Sequence, residues 1–254
     1  MTKIFYFSGT GNSLWSAKKI AYIIGEPWEL YNIGIEAQKN EIIIDAQAVI
    51  LVFPSYAYGL PLLVRSFVKR AVFNTPYVAS FVTFGSSPCG TLGILRRILK
   101  KKGINKMYFG CIPSVENYLA LFGVPDAKKI EHRFDMQKKA TEKAAEALLE
   151  QRENSVNTFT VFSSFVSWLF SIGIKIFYKK YRVSGNCNGC AVCEKICPVA
   201  AITMQNGLPV FSSRCEHCQG CINICPLRAI QFGRVKFGNP GYCHPEITIA
   251  DLER

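Results

Sequence analysis

The residues with the most specific chemistry are cysteines. Eight of the 11 in this 254-residue chain fall between Cys187 and Cys225, in two copies of CxxCxxCxxxCP. One copy holds Cys187, Cys190, Cys193 and Cys197 with Pro198; the other holds Cys215, Cys218, Cys221 and Cys225 with Pro226. VSGNCNGCAVCEKICPVAAI aligns with FSSRCEHCQGCINICPLRAI at a constant offset of 28 residues. Three cysteines spaced by three can wrap one corner of a four-iron cubane, because a tight loop turns successive thiolates toward different irons. Structural zinc uses CxxC pairs across a longer loop and closes on four ligands, so two extra in-phase cysteines per copy do not fit it. Disulfides need an oxidising compartment, and the amino terminus MTKIFYFSGTGNS has too short an apolar run for a secretory signal. The expected location is the cytoplasm, with the thiols kept reduced.

A second constellation follows the first predicted strand: Ser8, Gly9, Thr10, Gly11, Asn12 and Ser13, opening a helix. Hydroxyls and backbone N–H groups at a helix amino terminus make a site for a phosphate dianion without a lysine. GxxxxGK[ST] is absent, and Leu14 stands where a Rossmann fingerprint needs its third glycine. The plainer alternative is a Gly-rich turn capping a helix, with Ser8 and Asn12 as caps.

These motifs resemble two known families in tandem. The segment from about 183 to 235 looks like a bacterial two-cluster ferredoxin. In that pattern the cysteine before proline serves the other copy's cluster. The resemblance therefore pairs Cys187, Cys190, Cys193 and Cys225 on one 4Fe-4S cluster and Cys215, Cys218, Cys221 and Cys197 on the other. SGTGNS resembles the FMN phosphate loop of flavodoxins. Pro54, Ser55, Tyr56, Ala57, Tyr58 and Gly59 fall where flavodoxins place an aromatic residue against the flavin, and either tyrosine could stack. Thr83, Gly85, Cys89 and Gly90 match the second flavin-flanking loop, with Cys89 either at the flavin edge or an idle thiol. Together, SGTGNS, PSYAYGLP, the cysteine repeat and the closing GNPGYCHPEI resemble the flavodoxin-ferredoxin fusion proteins of anaerobes. The resemblance implies FMN, two 4Fe-4S clusters and electron transfer; it supplies no substrate.

The elements that must position these residues read as α/β. Strands are expected at Lys3 to Ser8, Trp28 to Ile33, Ala48 to Phe53, Val78 to Phe84 and Met107 to Ile112. Helices are expected at Asn12 to Ile24, Pro61 to Val72, Leu92 to Lys102 and Ile130 to Gln151. Five strands and four helices predict a doubly wound, flavodoxin-like parallel sheet over 1–153, with ligand loops at strand carboxyl ends. A hydrophobic connector helix over 154–182 then leads to a smaller α+β, ferredoxin-like two-cluster domain over 183–235 and a tail over 236–254. Cys111, inside a strand, is expected in the core.

The connector holds 21 uncharged residues, 154–174, before Lys175, Lys179, Lys180 and Arg182. Its serines, threonines and asparagines dilute its apolarity. A span would also put the two cofactor sites on opposite sides of roughly 30 Å of hydrocarbon, so packing between domains is expected, with membrane contact held open. The formal charge of +12 is offset by cluster and phosphate charge and fits an acidic redox partner. Dispersed basic runs without a helix-turn-helix pattern exclude a nucleic-acid reader. Two functions remain: an electron carrier or ferredoxin-coupled flavin reductase, and a flavoenzyme reducing a small organic molecule with the clusters as internal wire. In the second, His244 or Tyr242 would donate a proton.

Overall fold

The computed structural model describes residues 1–25, 27–88, 90–156, 160–233, 235, 238 and 240–253, leaving out the side chains of 160, 162 and 175. Cys89 therefore lies outside the described residues. In chain order the first part runs β1 (Thr2–Tyr6), α1 (Asn12–Ile24), β2 (Trp28–Asn32), α2 (Ile33–Glu36), β3 (Ile43–Asp45), β4 (Ala48–Pro54), α3 (Leu62–Arg70) and β5 (Val72–Asn74). It continues with β6 (Tyr77–Phe84), α4 (Thr91–Lys101), β7 (Lys106–Pro113), α5 (Leu119–Phe122) and α6 (Ala127–Leu149).

Five strands form one parallel sheet in the order β2-β1-β4-β6-β7. Counting only these strands, that is the 2-1-3-4-5 order of flavodoxin-like doubly wound sheets. Helices cover both faces of the central strands β1, β4 and β6, which are largely apolar, and the period of two sorts their side chains into two cores. Phe5, Phe7, Val49, Leu51 and Phe53 pack with Val64, Phe67, Leu95 and Leu99 of α3 and α4. Ile4, Tyr6, Ile50 and Val52 pack on the other face with Leu14, Trp15, Ile20, Ala144 and Ala145 of α1 and α6.

Local chemistry moves several expected boundaries. The third helix stops at Arg70, because Ala71 turns extended and β-prone Val72 and Phe73 enter β5, which pairs parallel with β3. The last helix of this part starts at Ala127 rather than Ile130, since Asp126 caps it by accepting from Lys129 N at 2.9 Å. Cys111 is exposed, not core. It lies near the end of β7, the edge strand of the sheet.

The second part runs α7 (Thr160–Phe177), a 3-10 turn (Tyr178–Lys180), β8 (Tyr181–Val183), α8 (Val192–Lys195), β9 (Ile202–Gln205), β10 (Leu208–Phe211), α9 (Gly220–Ile224), β11 (Ile230–Phe232) and α10 (Ile249–Leu252). Tyr181 and Arg182, expected in the connector, begin a strand instead. The sequence repeat is also a backbone repeat. β8 and β10, β9 and β11, and α8 and α9 stand at the 28-residue offset. The opening strand of each copy pairs antiparallel with the closing strand of the other, β8 with β11 and β10 with β9. Left-handed backbone recurs at Gly189 and His217 (φ 75° and 57°), Ala191 and Gln219 (58° and 56°), and Ala200 and Arg228 (49° and 50°). Most of these are not glycine, so both copies hold the same sparsely populated backbone conformation at matching positions.

The tail returns to the first helix. Trp15 Nε1 donates to Glu246 Oε2 at 2.8 Å, and Lys18 pairs with Asp251. His244, 1% exposed, packs its ring 5.0 Å from those of both Trp15 and Phe134. Burial lowers its pKa to about 4. The folded state thus disfavours the charged ring. His244 costs nothing in this way above about pH 6.5, and it withdraws stability as pH falls from there toward 4, in total on the order of 3 kcal/mol. His244→Phe is expected to flatten this acid loss while His217, lowered to about 4 by the same cause, keeps its own share. Urea midpoints at pH 7 and 4.5 check it; a variant with unchanged pH dependence would show that the tail detaches before His244 protonates.

Candidate functional site

A cavity of about 470 Å³ opens at the carboxyl ends of β1, β4, β6 and β7. The direction of crossover reverses between β1 and β4, where an open α/β sheet leaves a crevice for a ligand. Ser8, Gly9, Thr10, Asn12 and Ser13 form one wall; Pro54, Ser55, Tyr56, Ala57 and Tyr58 a second; Thr83 and Gly85 part of a third. Gly11, Gly59 and Gly90 stand outside the lining and shape it from behind. Gly11 turns into α1 at φ 95°, a conformation open to glycine. Tyr56 and Gly59 exchange backbone hydrogen bonds of 3.0 and 2.9 Å across a tight turn with left-handed Ala57 and Tyr58. Gly90 N donates to Ser163 Oγ of α7 at 3.0 Å.

The wall formed by Ser8 to Ser13 is preorganised. No side chain caps the start of α1, so its first N–H groups have no side-chain acceptor. Ser8 Oγ accepts from Gly11 N at 3.1 Å, and Ser13 and Thr83 share a 2.8 Å hydroxyl contact. Asn117 Nδ2 donates to Thr10 Oγ1, which leaves the Thr10 hydroxyl proton to donate elsewhere. Asn12 is locked by donating to Val115 O at 3.1 Å and accepting from Tyr242 OH at 2.7 Å. A buried helix start with hydroxyl donors and no cation fits a phosphate ester. The apolar and aromatic walls beyond it fit a flat ring system such as flavin.

Sequence reasoning found three walls and missed the others. The loop after β7 adds Ser114 to Tyr118, and α7 adds Val166, Phe170 and Phe177. No glycine motif marks either stretch. The closing wall comes from the cysteine repeat, through His217 and Cys218. His217 Nδ1 meets Tyr181 OH and its Nε2 meets Tyr118 OH, each at 3.0 Å. Burial lowers its pKa, so a neutral ring donates from one nitrogen and accepts at the other. His217 occupies a spacer position of CxxC, which a motif reading discards. His244 and Tyr242, expected as proton donors, do not reach the cavity: the tail buries both behind the phosphate loop.

The cysteine loop is seated directly on the sheet domain. A Cβ at Gly9 would stand 3.0 Å from Cys218 Cβ, and one at Gly220 would stand 2.5 Å from Gly9 O. Only glycines allow this approach. Glu216 Oε1 accepts from Leu63 N at 2.7 Å, so the cysteine loop caps the start of α3. Burial raises the Glu216 pKa to about 7.

The eight repeat cysteines are free thiols gathered in two groups. Burial pushes Cys193 up to about 12, and its charged neighbours are Cys225, Cys190 and Cys187. Burial likewise raises Cys221 well above its usual value, with Cys218, Cys215, Cys197 and then Cys193 as neighbours. Cys218 sits among Cys197 and Cys215. Each group thus contains three cysteines of one copy and the cysteine before proline of the other. Matching backbone donors reach Cys197 Sγ from Ala201 at 3.2 Å and Cys225 Sγ from Ala229 at 3.3 Å. Among the described residues no three His, Cys, Asp or Glu converge to hold a single metal ion. Four thiolates that bind four separate irons stand wider apart than ligands of one ion. Buried thiols raised this far also need a cationic group to become thiolates. Four thiols per group is the number that a four-iron cubane takes.

No protein-family model matches the chain, and no curated protein matches it. Among solved structures, a flavodoxin of Streptococcus pneumonia TIGR4 aligns at 15% identity over 59% of this chain and 99% of its own, with a TM-score of 0.38. A Fusobacterium nucleatum flavodoxin mutant bound to flavin mononucleotide aligns at 15% over 60% and 96%, with a TM-score of 0.40. An azoreductase from Bacillus anthracis aligns at 8% over 59% and 100%, with a TM-score of 0.39. The strand order, rather than these distant likenesses, carries the fold assignment.

Proposed function

We propose that the chain is an electron-transfer flavo-iron–sulfur protein. FMN would occupy the 470 Å³ cavity, its phosphate on Thr10, Asn12 and Ser13 and its ring between the Tyr56–Tyr58 turn and the loop after β6. Cys187, Cys190, Cys193 and Cys225 would hold one 4Fe-4S cluster. Cys215, Cys218, Cys221 and Cys197 would hold the other. The observation that carries this reading is the position of Cys218, which lines the cavity while its loop touches Gly9 of the phosphate loop.

Flavin exchanges one or two electrons and each cubane passes one, so the pair joins two-electron to one-electron chemistry. The protein's part is to fix distance, hydrogen bonding and burial. Cys193 neighbours Cys221, and Cys218 borders the cavity, so the two thiol groups and the cavity form a contiguous series. Cys190 is exposed and marks the end at which a redox partner, an acidic one on the charge argument, would dock. Ala201 and Ala229 N–H groups donate to cysteine sulfur, which favours the reduced, more negative state of a cluster. His217, kept neutral by burial, is held in place by Tyr118 and Tyr181.

Anaerobic purification followed by iron, acid-labile sulfide and flavin assays tests the reading. About eight irons and one FMN per chain are expected, with cluster EPR signals appearing as flavin bleaches during reductive titration. Zinc in the thiol groups, or four irons without flavin, would overturn it.

A second reading, a flavoenzyme reducing a small organic molecule, draws on Leu121 and Phe122. Both line the cavity yet are 74% and 59% exposed, an apolar mouth suited to an apolar substrate. Reoxidation of reduced flavin that depends on an added organic acceptor would favour this reading over a pure carrier.

A further inference from the structure

We infer that α7 is an interfacial helix that docks the protein on an anionic phospholipid surface. Its two sides differ in kind. Ser163, Ser167 and Ile174 are buried, and Val166, Phe170 and Phe177 line the cavity. On the opposite side Val161, Phe165, Trp168, Leu169, Ile172 and Ile176 are 72%, 57%, 53%, 49%, 50% and 59% exposed. At roughly 100° per residue these six share an arc of about 100°, a continuous apolar stripe. Every exposed position described on α7 is a large hydrophobic residue. Scattered exposed hydrophobics need no explanation, whereas a stripe of this length marks an interaction face.

The surroundings say what covers it. Ser164, on the flank of the stripe, lines a groove with Arg65 and Lys69 of α3, Arg97 and Lys101 of α4 and Lys102 just past it, and no acidic residue among those described lines that groove. Lys179 and Lys180 are exposed just beyond the carboxyl end of α7. An apolar stripe with aromatic residues, bordered by cations, is the pattern of a helix lying in the plane of an anionic bilayer surface. A two-fold related copy would instead set the same cationic rim against itself. No described helix is long and apolar enough to cross a membrane, so the geometry is docking and not spanning. Because the inner side of α7 walls the cavity, docking would hold that cavity beside the bilayer.

The test uses the full, cofactor-loaded chain and vesicles of phosphatidylglycerol with phosphatidylcholine, against phosphatidylcholine alone. Co-sedimentation with anionic vesicles is expected, weakened at least tenfold by 0.5 M salt, on neutral lipid, and in Phe165→Glu/Leu169→Glu. That double variant should keep its flavin and iron, since neither side chain lines the cavity. In an otherwise unaltered Trp28→Phe chain, the remaining tryptophans are Trp15, buried against Phe134 and His244 away from lipid, and Trp168, so the fraction of emission quenched by brominated lipid reports insertion of Trp168 without touching the stripe. Absence of binding to anionic vesicles overturns the inference. So does unquenched Trp168, or a lipid-free dimer that Leu169→Glu dissociates, which would make the stripe a protein interface.

Discussion

Gly11→Ala is expected to destabilise the chain by about 2–5 kcal/mol and to empty the proposed flavin site. The backbone there sits at φ 95°, beyond the left-handed region where an L side chain already costs about 1–2 kcal/mol. The added Cβ would lie 2.9 Å from His244 Cβ and 3.0 Å from Ile247 Cβ, and overpacking of that kind costs about 1–3 kcal/mol. Neither neighbour can withdraw easily. His244 N donates to Thr10 O at 2.9 Å, and its ring is packed between Trp15 and Phe134. Relief must come from the loop itself, which would displace the α1 N–H groups and the Thr10 hydroxyl. Urea denaturation and flavin per chain measure the two effects. A variant that unfolds like the parent and retains FMN would show that the loop does not hold the phosphate.

On the proposed two-cluster reading, Cys218→Ala is expected to halve the iron, from about eight to about four per chain, while the EPR signal of the other cluster survives. Cys218 sits with Cys215, Cys221 and Cys197, whereas Cys193 groups with Cys187, Cys190 and Cys225. Loss of one buried ligand should therefore remove one cluster and not both. Flavin reduction by a one-electron donor should slow sharply, since the thiol group bordering the cavity would be the one lost. Cys243→Ala is the control. Its Sγ lies 3.5 Å from Ile247 O in the tail, outside both groups, and all iron should remain. Unchanged iron in Cys218→Ala would break the ligand grouping, and complete loss would make the two sites one cooperative unit.

Several assignments were readable because they depend on local periodicity. The five sheet strands and α1 follow from apolar runs, helix spacing and the glycines that bracket them. The 28-residue repeat made the eight cysteines readable as two in-phase copies, and the ferredoxin resemblance implied that they cross between groups. What escaped was chemistry at positions with no local signal. Glu216 and His217 are spacers in CxxC, yet one caps α3 and the other joins Tyr118 to Tyr181. His244 looked like a proton donor because an isolated histidine near a chain end has no local feature to bury it. The contacts that do so come from Trp15 and Phe134, far away in sequence.

The sequence by itself carried the parallel α/β sheet, the Gly-rich turn that opens α1 and the eight cysteines in two in-phase copies. Each is encoded within a window of a few residues or in an exact repeat, where sterics and ligand spacing leave few alternatives. Only the tertiary structure decided that Cys218 would meet Gly9, that the tail would lock Asn12 from behind, and that α7 would wall the cavity with one side and expose an apolar stripe on the other. Those outcomes depend on shape complementarity between segments more than 200 residues apart in the case of Gly9 and Cys218. Glycine at 9 and 220 permits that contact, but a glycine's absent side chain names no partner until the partner is in place.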